Sequence, residues 1–236
     1  MSVKPILFNT EMVRAILDGR KSCTRRIVKP QQLVGLLPDK CKNGVPEEFL
    51  KEKKLMFKPY CDMTDIELIN TAYKAPYQTG DILYVRETVW QKVGHYLDID
   101  GETKGIFYNE YKYVATDDDP KVGWNHSWVK RPSIHMPKEA ARIWLKVMNV
   151  RVERLQEITE DEAVKEGIYQ SNCKECNVPF GCDACPDEGY NEIDEFADLW
   201  NSTIKKSDLD RYGWDANHWV WVIEFERCDK PESEEI

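Results

Sequence analysis

The chain has 236 residues, 42% of them apolar and 32% charged, with a formal net charge of −9. This is enough apolar material for one large packed domain, and the acidic balance excludes a wholly basic coat for long nucleic acid. The longest apolar run, Trp219–Ile223, is too short for a helical membrane span, and the residues after Met1 are too polar for a secretory leader, so a cytoplasmic location is expected.

The charge is uneven. Residues 1–31 carry seven Lys/Arg against two Asp/Glu, whereas residues 153–236 carry eight against twenty-three. A local basic site on an acidic body suits a nucleoside or a short strand better than a long duplex, because few phosphates can be neutralised.

In chain order, Asn9 or Thr10 can cap a short helix whose apolar stripe is Met12, Val13, Ile16 and Leu17, and Gly19 stops it. Thr24–Val28 reads as extended. Residues 32–79 are polar and irregular and read as an insertion with one short helix. From Gly80 the pattern alternates: Ile82, Tyr84 and Arg86 share one face of a strand, while Leu83, Val85 and Glu87 share the other, which puts a carboxylate on an apolar face. Phe107–Ala115 and Ala141–Val152 are further strand regions. Thr159 to Glu162 forms a capping box that opens a helix stopped at Gly167. Ile193, Phe196, Trp200 and Ile204 give a second helical stripe. Trp219–Phe225 is the last strand, with Trp219, Trp221, Ile223 and Phe225 on one face. Residues 229–236 read as a disordered acidic tail. This order of elements predicts an α+β fold, a small mixed β-barrel with flanking helices in a single domain over 1–228.

Cys173, Cys176, Cys182 and Cys185 read C-x2-C-x5-C-x2-C, two thiolate pairs that a short spacer can fold onto one metal. Tetrahedral Zn²⁺ with four sulfurs is the natural match. Iron–sulfur ligation and disulfides are the weaker alternatives. Four sulfur ligands leave no position open for water, so the expected role is structural, in a zinc knob over 169–188. Cys23, Cys41, Cys61 and Cys228 have no metal spacing, and His95, His126, His135 and His218 show no ligand pairing.

The densest chemistry lies in Gly19-Arg20-Lys21-Ser22-Cys23-Thr24-Arg25-Arg26, which fits G-x-K-x-x-T-x-R. Leu17–Arg26 resembles the signature of the ASCH domain superfamily, which has a PUA-like β-barrel fold. Gly80–Thr88 (GDILYVRET) resembles that superfamily's second block. Arg131–Pro137 (RPSIHMP) and Tyr212–Asn217 (YGWDAN) resemble blocks of its phage- and prophage-type branch, with His218 standing where that branch carries proline. The resemblance implies a cleft near the first helix that binds RNA or modified nucleosides. It also implies kinship with hydrolases of the acetyl amide of N4-acetylcytidine. By motif, the implied catalytic residues are Lys21, Thr24 and Glu87.

A threonine hydroxyl needs a base before it can attack. Lys21 can be that base only while neutral, a state that burial and the neighbouring arginines favour; while charged, it would stabilise an oxyanion. Glu87 would hold the lysine or pass a proton to the leaving amine. An ion pair between Lys21 and Glu87, with Thr24 capping a turn, is the plain structural alternative. Expected substrate contacts are Arg25 and Arg26 to a carbonyl or phosphate, Ser133 in the cleft lining, Trp214 stacking on a base, and Asn217 reading a base edge. Trp90, Trp124 and Trp128 are expected in or near turns. The rival functions are a non-catalytic reader of RNA or a modified base, and an adaptor whose acidic half meets a host protein partner.

Overall fold

A computed structural model describes residues 2–29, 65–123, 125–168 and 192–232. These sort into two compact units. The first comprises Met1–Lys21, Gly80–Val147 and Phe225–Ile236, and the second Ser22–Thr79 and Met148–Glu224. The chain is mixed α+β with a strand-rich core and a few short helices.

In the first unit, β1 (Val3–Leu7) lies parallel to β3 (Ile82–Arg86), and β3 is antiparallel to the start of β7 (Trp144–Arg154). Helix α1 (Thr10–Leu17) is capped as expected, since the Met12 amide donates to Asn9 Oδ1 at 2.8 Å. Gly19 follows at φ 77°, a left-handed conformation that costs glycine little. Leu83 and Val85 are fully enclosed and Glu87 is 1% exposed, so the face carrying the carboxylate is indeed the buried one. A second sheet has the order β5 (Thr103–Tyr113), β4 (Val89–Leu97), β6 (His126–Arg131), all antiparallel. Ile82, Val89, Met136, Ala140, Ala141 and Trp144 form one core cluster of this unit.

In the second unit, β2 (Cys23–Ile27) pairs antiparallel with β8 (Trp219–Cys228), which stands between β2 and β7 in the strand order. Its helices are α2 (Asp65–Ala72), α3 (Glu160–Lys165), α4 (Glu192–Ser202) and α5 (Leu209–Tyr212). The capping box at α3 is present: Thr159 Oγ1 accepts the Glu162 amide and the Glu162 carboxylate accepts the Thr159 amide. Phe196 and Trp200 of α4 pack with Leu155, Ile158, Ile168, Val220 and Val222. Each such side chain contributes about 1.5–3 kcal/mol through the water it gives up.

Two expectations need correction. Strand pairing among the described residues gives a five-stranded sheet, ordered β1-β3-β7-β8-β2, and a separate three-stranded sheet, and neither closes into a barrel. Strand β8 is apolar on one face in the expected alternation, yet Val220 and Val222 on its other face are also buried at 0% and 1%. A strand covered on both sides reads as a continuous apolar run. The cysteine knob over 169–188 and most of the 32–79 insertion lie outside the described residues.

Candidate functional site

Glu87 follows β3 directly and is held by Arg142, which precedes β7. Arg142 Nε donates to Glu87 Oε1 at 2.9 Å and its Nη2 to Oε2 at 3.1 Å. This fork uses both carboxylate oxygens and fixes the plane of the acid. The other edge of the guanidinium donates to Thr116 Oγ1 at 2.9 Å, and its face lies 4.0 Å from the centre of the Tyr113 ring. The Tyr113 hydroxyl donates to the Ala140 carbonyl at 2.8 Å. Burial pushes the Tyr113 phenol up; the Arg142 charge opposes that rise and Glu87 adds to it. A carboxylate that is 1% exposed costs several kcal/mol to desolvate unless it is paired, and the bidentate arginine supplies the pairing.

The segment beside Glu87 is anchored in the same way. The Glu87 amide donates to Met136 Sδ at 3.2 Å, and Arg86 donates to the carbonyls of Met136 and Ile134. Ser133 opens the short 3-10 turn Ser133–His135 and is half-buried. Asp81 of the same sequence block is a structural group: it accepts from the Ser2 amide and hydroxyl and from Lys4 Nζ at 2.6 Å.

Lys21 belongs to the first unit as well. It is 3% exposed, and its Nζ lies 5.6 Å from the centre of the Phe8 ring. Whenever it carries its proton, an amine over an aromatic face gains cation–π attraction in place of part of its lost hydration.

The second unit receives Thr24, Arg25, Arg26, Trp214 and Asn217. Thr24 is 1% exposed, and its Oγ1 accepts a 2.7 Å hydrogen bond from Arg26 Nη1. The same nitrogen donates to the Arg25 carbonyl at 2.9 Å. Burial holds the Arg26 guanidinium below the usual arginine range, against the opposing pull of Glu166 and Tyr77.

The structure corrects the assignment of Arg25 to a ligand. Its side chain is 0% exposed and is ringed by carboxylates: Glu153 at 2.5 Å, Glu162 at 3.0 Å and Glu166 at 3.2 Å. Burial opposes the Arg25 charge, but the attraction of Glu166 and Glu153 outweighs it and holds the guanidinium above its usual range. Arg151 extends the cluster, reaching Glu153, Glu162 and Glu224. No donor of Arg25 is left for a phosphate.

Trp214 and Asn217, both half-buried, also make contacts within the second unit. Trp214 packs edge-on against Phe196 with centroids 6.0 Å apart, its amide donates to Asn201 Oδ1, and its carbonyl accepts from Gln156 Nε2. Asn217 sits at φ 41°, the left-handed position after a turn, and its Oδ1 accepts the Gln156 amide at 3.0 Å. Trp90 and Trp128 lie within β4 and β6, not in turns, and Trp124 is outside the described residues.

Arg142 as the partner of Glu87, and the ring of Arg151, Glu153, Glu162 and Glu166 around Arg25, were not foreseen as units. The available signals were weak: Arg151 and Glu153 alternate onto one strand face, and Glu162 was visible only as a helix cap. Among the described residues no group of three or more His, Cys, Asp or Glu side chains is placed to hold a metal, and no helix is long and apolar enough to cross a membrane. The four motif cysteines lie outside those residues.

No family model and no curated protein matches the chain. The high-resolution crystal structure of an ASCH domain from Lactobacillus crispatus JV V101 is similar to it over 96% of this chain and 79% of that one, at 10% identity and a TM-score of 0.37. At that score the likeness carries no argument about this chain.

Proposed function

We propose that the chain binds a modified nucleoside or RNA through an ASCH-type site and hydrolyses an N-acyl amide on cytidine. The observation that supports this is the burial of two ionisable side chains, Lys21 and Glu87, at 3% and 1% exposure in one compact unit. Both come from the sequence blocks that resemble ASCH signatures. Ionisable groups taken out of water are costly, and they concentrate where chemistry needs them.

The proposed roles of Lys21, Thr24 and Glu87 are those that the motif resemblance implies. In that reading Thr24 Oγ1 attacks the acyl carbon while Lys21, acting in its neutral form, takes its proton; the C–N bond breaks and the cytidine amine leaves with that proton. Water then hydrolyses the threonyl ester, releasing the acid and restoring the hydroxyl. The hydrogen bond from Arg26 favours the alkoxide form of Thr24. Glu87, with both oxygens engaged by Arg142, is suited to holding charge in place and poorly suited to shuttling a proton. Ser133 remains a candidate substrate contact. We include in the proposal one structural Zn²⁺ on Cys173, Cys176, Cys182 and Cys185, to be tested by elemental analysis of the purified protein for one metal per chain.

The experiment is incubation with N4-acetylcytidine, following cytidine release by chromatography, with binding read separately by calorimetry. Turnover that Thr24→Ala abolishes while binding persists supports the full proposal. Binding without turnover in the wild type reduces the function to that of a reader. Absence of both, with acetylated RNA as well as the free nucleoside, overturns it.

A further inference from the structure

The three-stranded sheet has one face turned to the core of its unit and one turned away from it. Register decides which residues share a face, because side chains alternate along each strand. Val89 and Val93 are buried, and Tyr111 and Tyr113 pack against the core cluster from their side. The opposite face is set out in rows across the strands. Trp90 stands between Lys112 and Lys130, Lys92 stands opposite Trp128, and Gly94 stands between Ile106 and His126.

That outer face is basic and aromatic on an acidic protein. By register that face carries Lys92, Lys104, Lys112 and Lys130 against Glu110, within a chain of net charge −9. Lysines lie over the indoles: Lys112 Nζ is 5.6 Å from the Trp128 ring centre, and Lys130 Nζ is 5.4 Å from that of Trp90. The Tyr108 ring occupies the space above Gly94, where an added Cβ would come within 2.5 Å of it. The absent side chain therefore seats an aromatic ring that is still 46% exposed. Lys92 and Lys104 are partly spent on carboxylates: Lys92 on Glu110, and Lys104 on Asp98 and Glu102. Lys112 and Lys130 form no ion pair within 4.0 Å among the described residues, although the Lys112 charge helps to hold the Asp117 carboxyl below its usual range.

We propose that this outer face binds a single strand of nucleic acid, with bases stacking on Trp128 and Tyr108 and phosphates meeting Lys112 and Lys130. Tyr108 is exposed and Trp128 half-buried; rings that reach solvent on a sheet give a base a π-surface, and ammonium groups beside them supply the backbone contact. A duplex offers no unstacked base to these rings. The surface uses none of the residues of the proposed nucleoside site, so either can fail without the other.

The test is fluorescence anisotropy of the full chain with labelled oligouridylate and oligothymidylate of about twelve nucleotides, and with a duplex of equal length, across roughly 50–200 mM salt. The single strands are expected to bind more tightly than the duplex. Lys112→Glu with Lys130→Glu should weaken binding by tenfold or more and flatten the salt slope by about 1.4. Trp128→Ala should weaken it by about tenfold. The lysine pair is a surface change, so an unchanged melting temperature separates loss of binding from loss of fold. Equal affinity for the two oligomers assigns the face to any single strand, and preference for oligouridylate assigns it to RNA; both support the proposal. Equal or tighter duplex binding, no detectable binding at low salt, or wild-type affinity in the folded lysine double variant overturns it. Thr24→Ala is expected to leave oligomer affinity unchanged.

Discussion

Two buried glutamate–arginine arrangements, one in each unit, differ in what they leave over. In the second unit the Arg25 side chain is 0% exposed and is surrounded by three glutamates, with Arg151 bracing two of them. In the first, Glu87 is the enclosed partner, and Arg142 is 26% exposed with a ring under one face. The first pattern is a closed knot of charge that binds strands and helix of one unit together. The second is a buried acid reached through a single guanidinium that still touches solvent. A run of basic residues in sequence therefore says little about which cation faces a ligand; the count of carboxylates around each says much more.

The strongest way to break this comparison is Arg25→Met. It leaves Glu153, Glu162 and Glu166 mutually repelling, with only part of that charge answered by Arg151. A loss of about 3–5 kcal/mol in urea unfolding is expected. A loss below about 1 kcal/mol would show that the network is not what holds the second unit.

Tyrosines sharpen the comparison at high pH. Burial pushes the Tyr73 phenol up to about 12, whereas at Tyr113 the Arg142 charge opposes the rise. The folded state thus keeps the Tyr73 proton after the unfolded chain has lost it. Stability from this source is fully present below pH 10 and drains away as pH rises from 10 towards 12, by at most about 2 kcal/mol. Tyr73→Phe should flatten that part of the stability profile, measured by urea unfolding at stepped pH. An identical slope in the variant would refute the assignment.

Arg142→Gln tests the open arrangement. Glu87 stays buried and loses both charged hydrogen bonds, but the exposed edge lets water in, so the expected loss is about 2 kcal/mol. Arg142→Lys should recover less than half of it, because a point charge cannot bridge both oxygens. Full recovery would mean that net charge, not the fork, is what Glu87 requires.

Much of the local structure was legible in the sequence. Asn9, Gly19, Thr159 and Glu162 mark helix ends by chemistry that acts over a few residues, and each does so here. The face of β3 was readable because alternation is itself local. Strands β1, β4 and β6 were missed: β1 is interrupted by Pro5, and β4 and β6 carry lysines and tryptophans on their outer faces in place of a simple apolar–polar rhythm. The partners of Arg25 and Glu87 were not legible because they lie from 55 to 141 positions away in sequence, and only folding brings them close. The bond from the Gln156 amide to Asn217 Oδ1 was not legible either, because 61 positions separate the two residues.

The smallest expected effect concerns Trp90. Its indole Nε1 is buried and has no hydrogen-bond partner among the described residues. Removing an unmet donor relieves a desolvation cost of about 1–3 kcal/mol, while exchanging indole for a smaller ring gives up some buried area and part of the attraction to Lys130. The two contributions nearly cancel, so Trp90→Phe should change stability by no more than about 0.5 kcal/mol in either direction. Trp90→Ala removes the ring as well as the donor and should cost about 3 kcal/mol or somewhat less, because the side chain is only half-buried. If Trp90→Phe costs as much as Trp90→Ala, the N–H is satisfied in solution, and the outer face of the sheet is more hydrated around Trp90 than its burial implies.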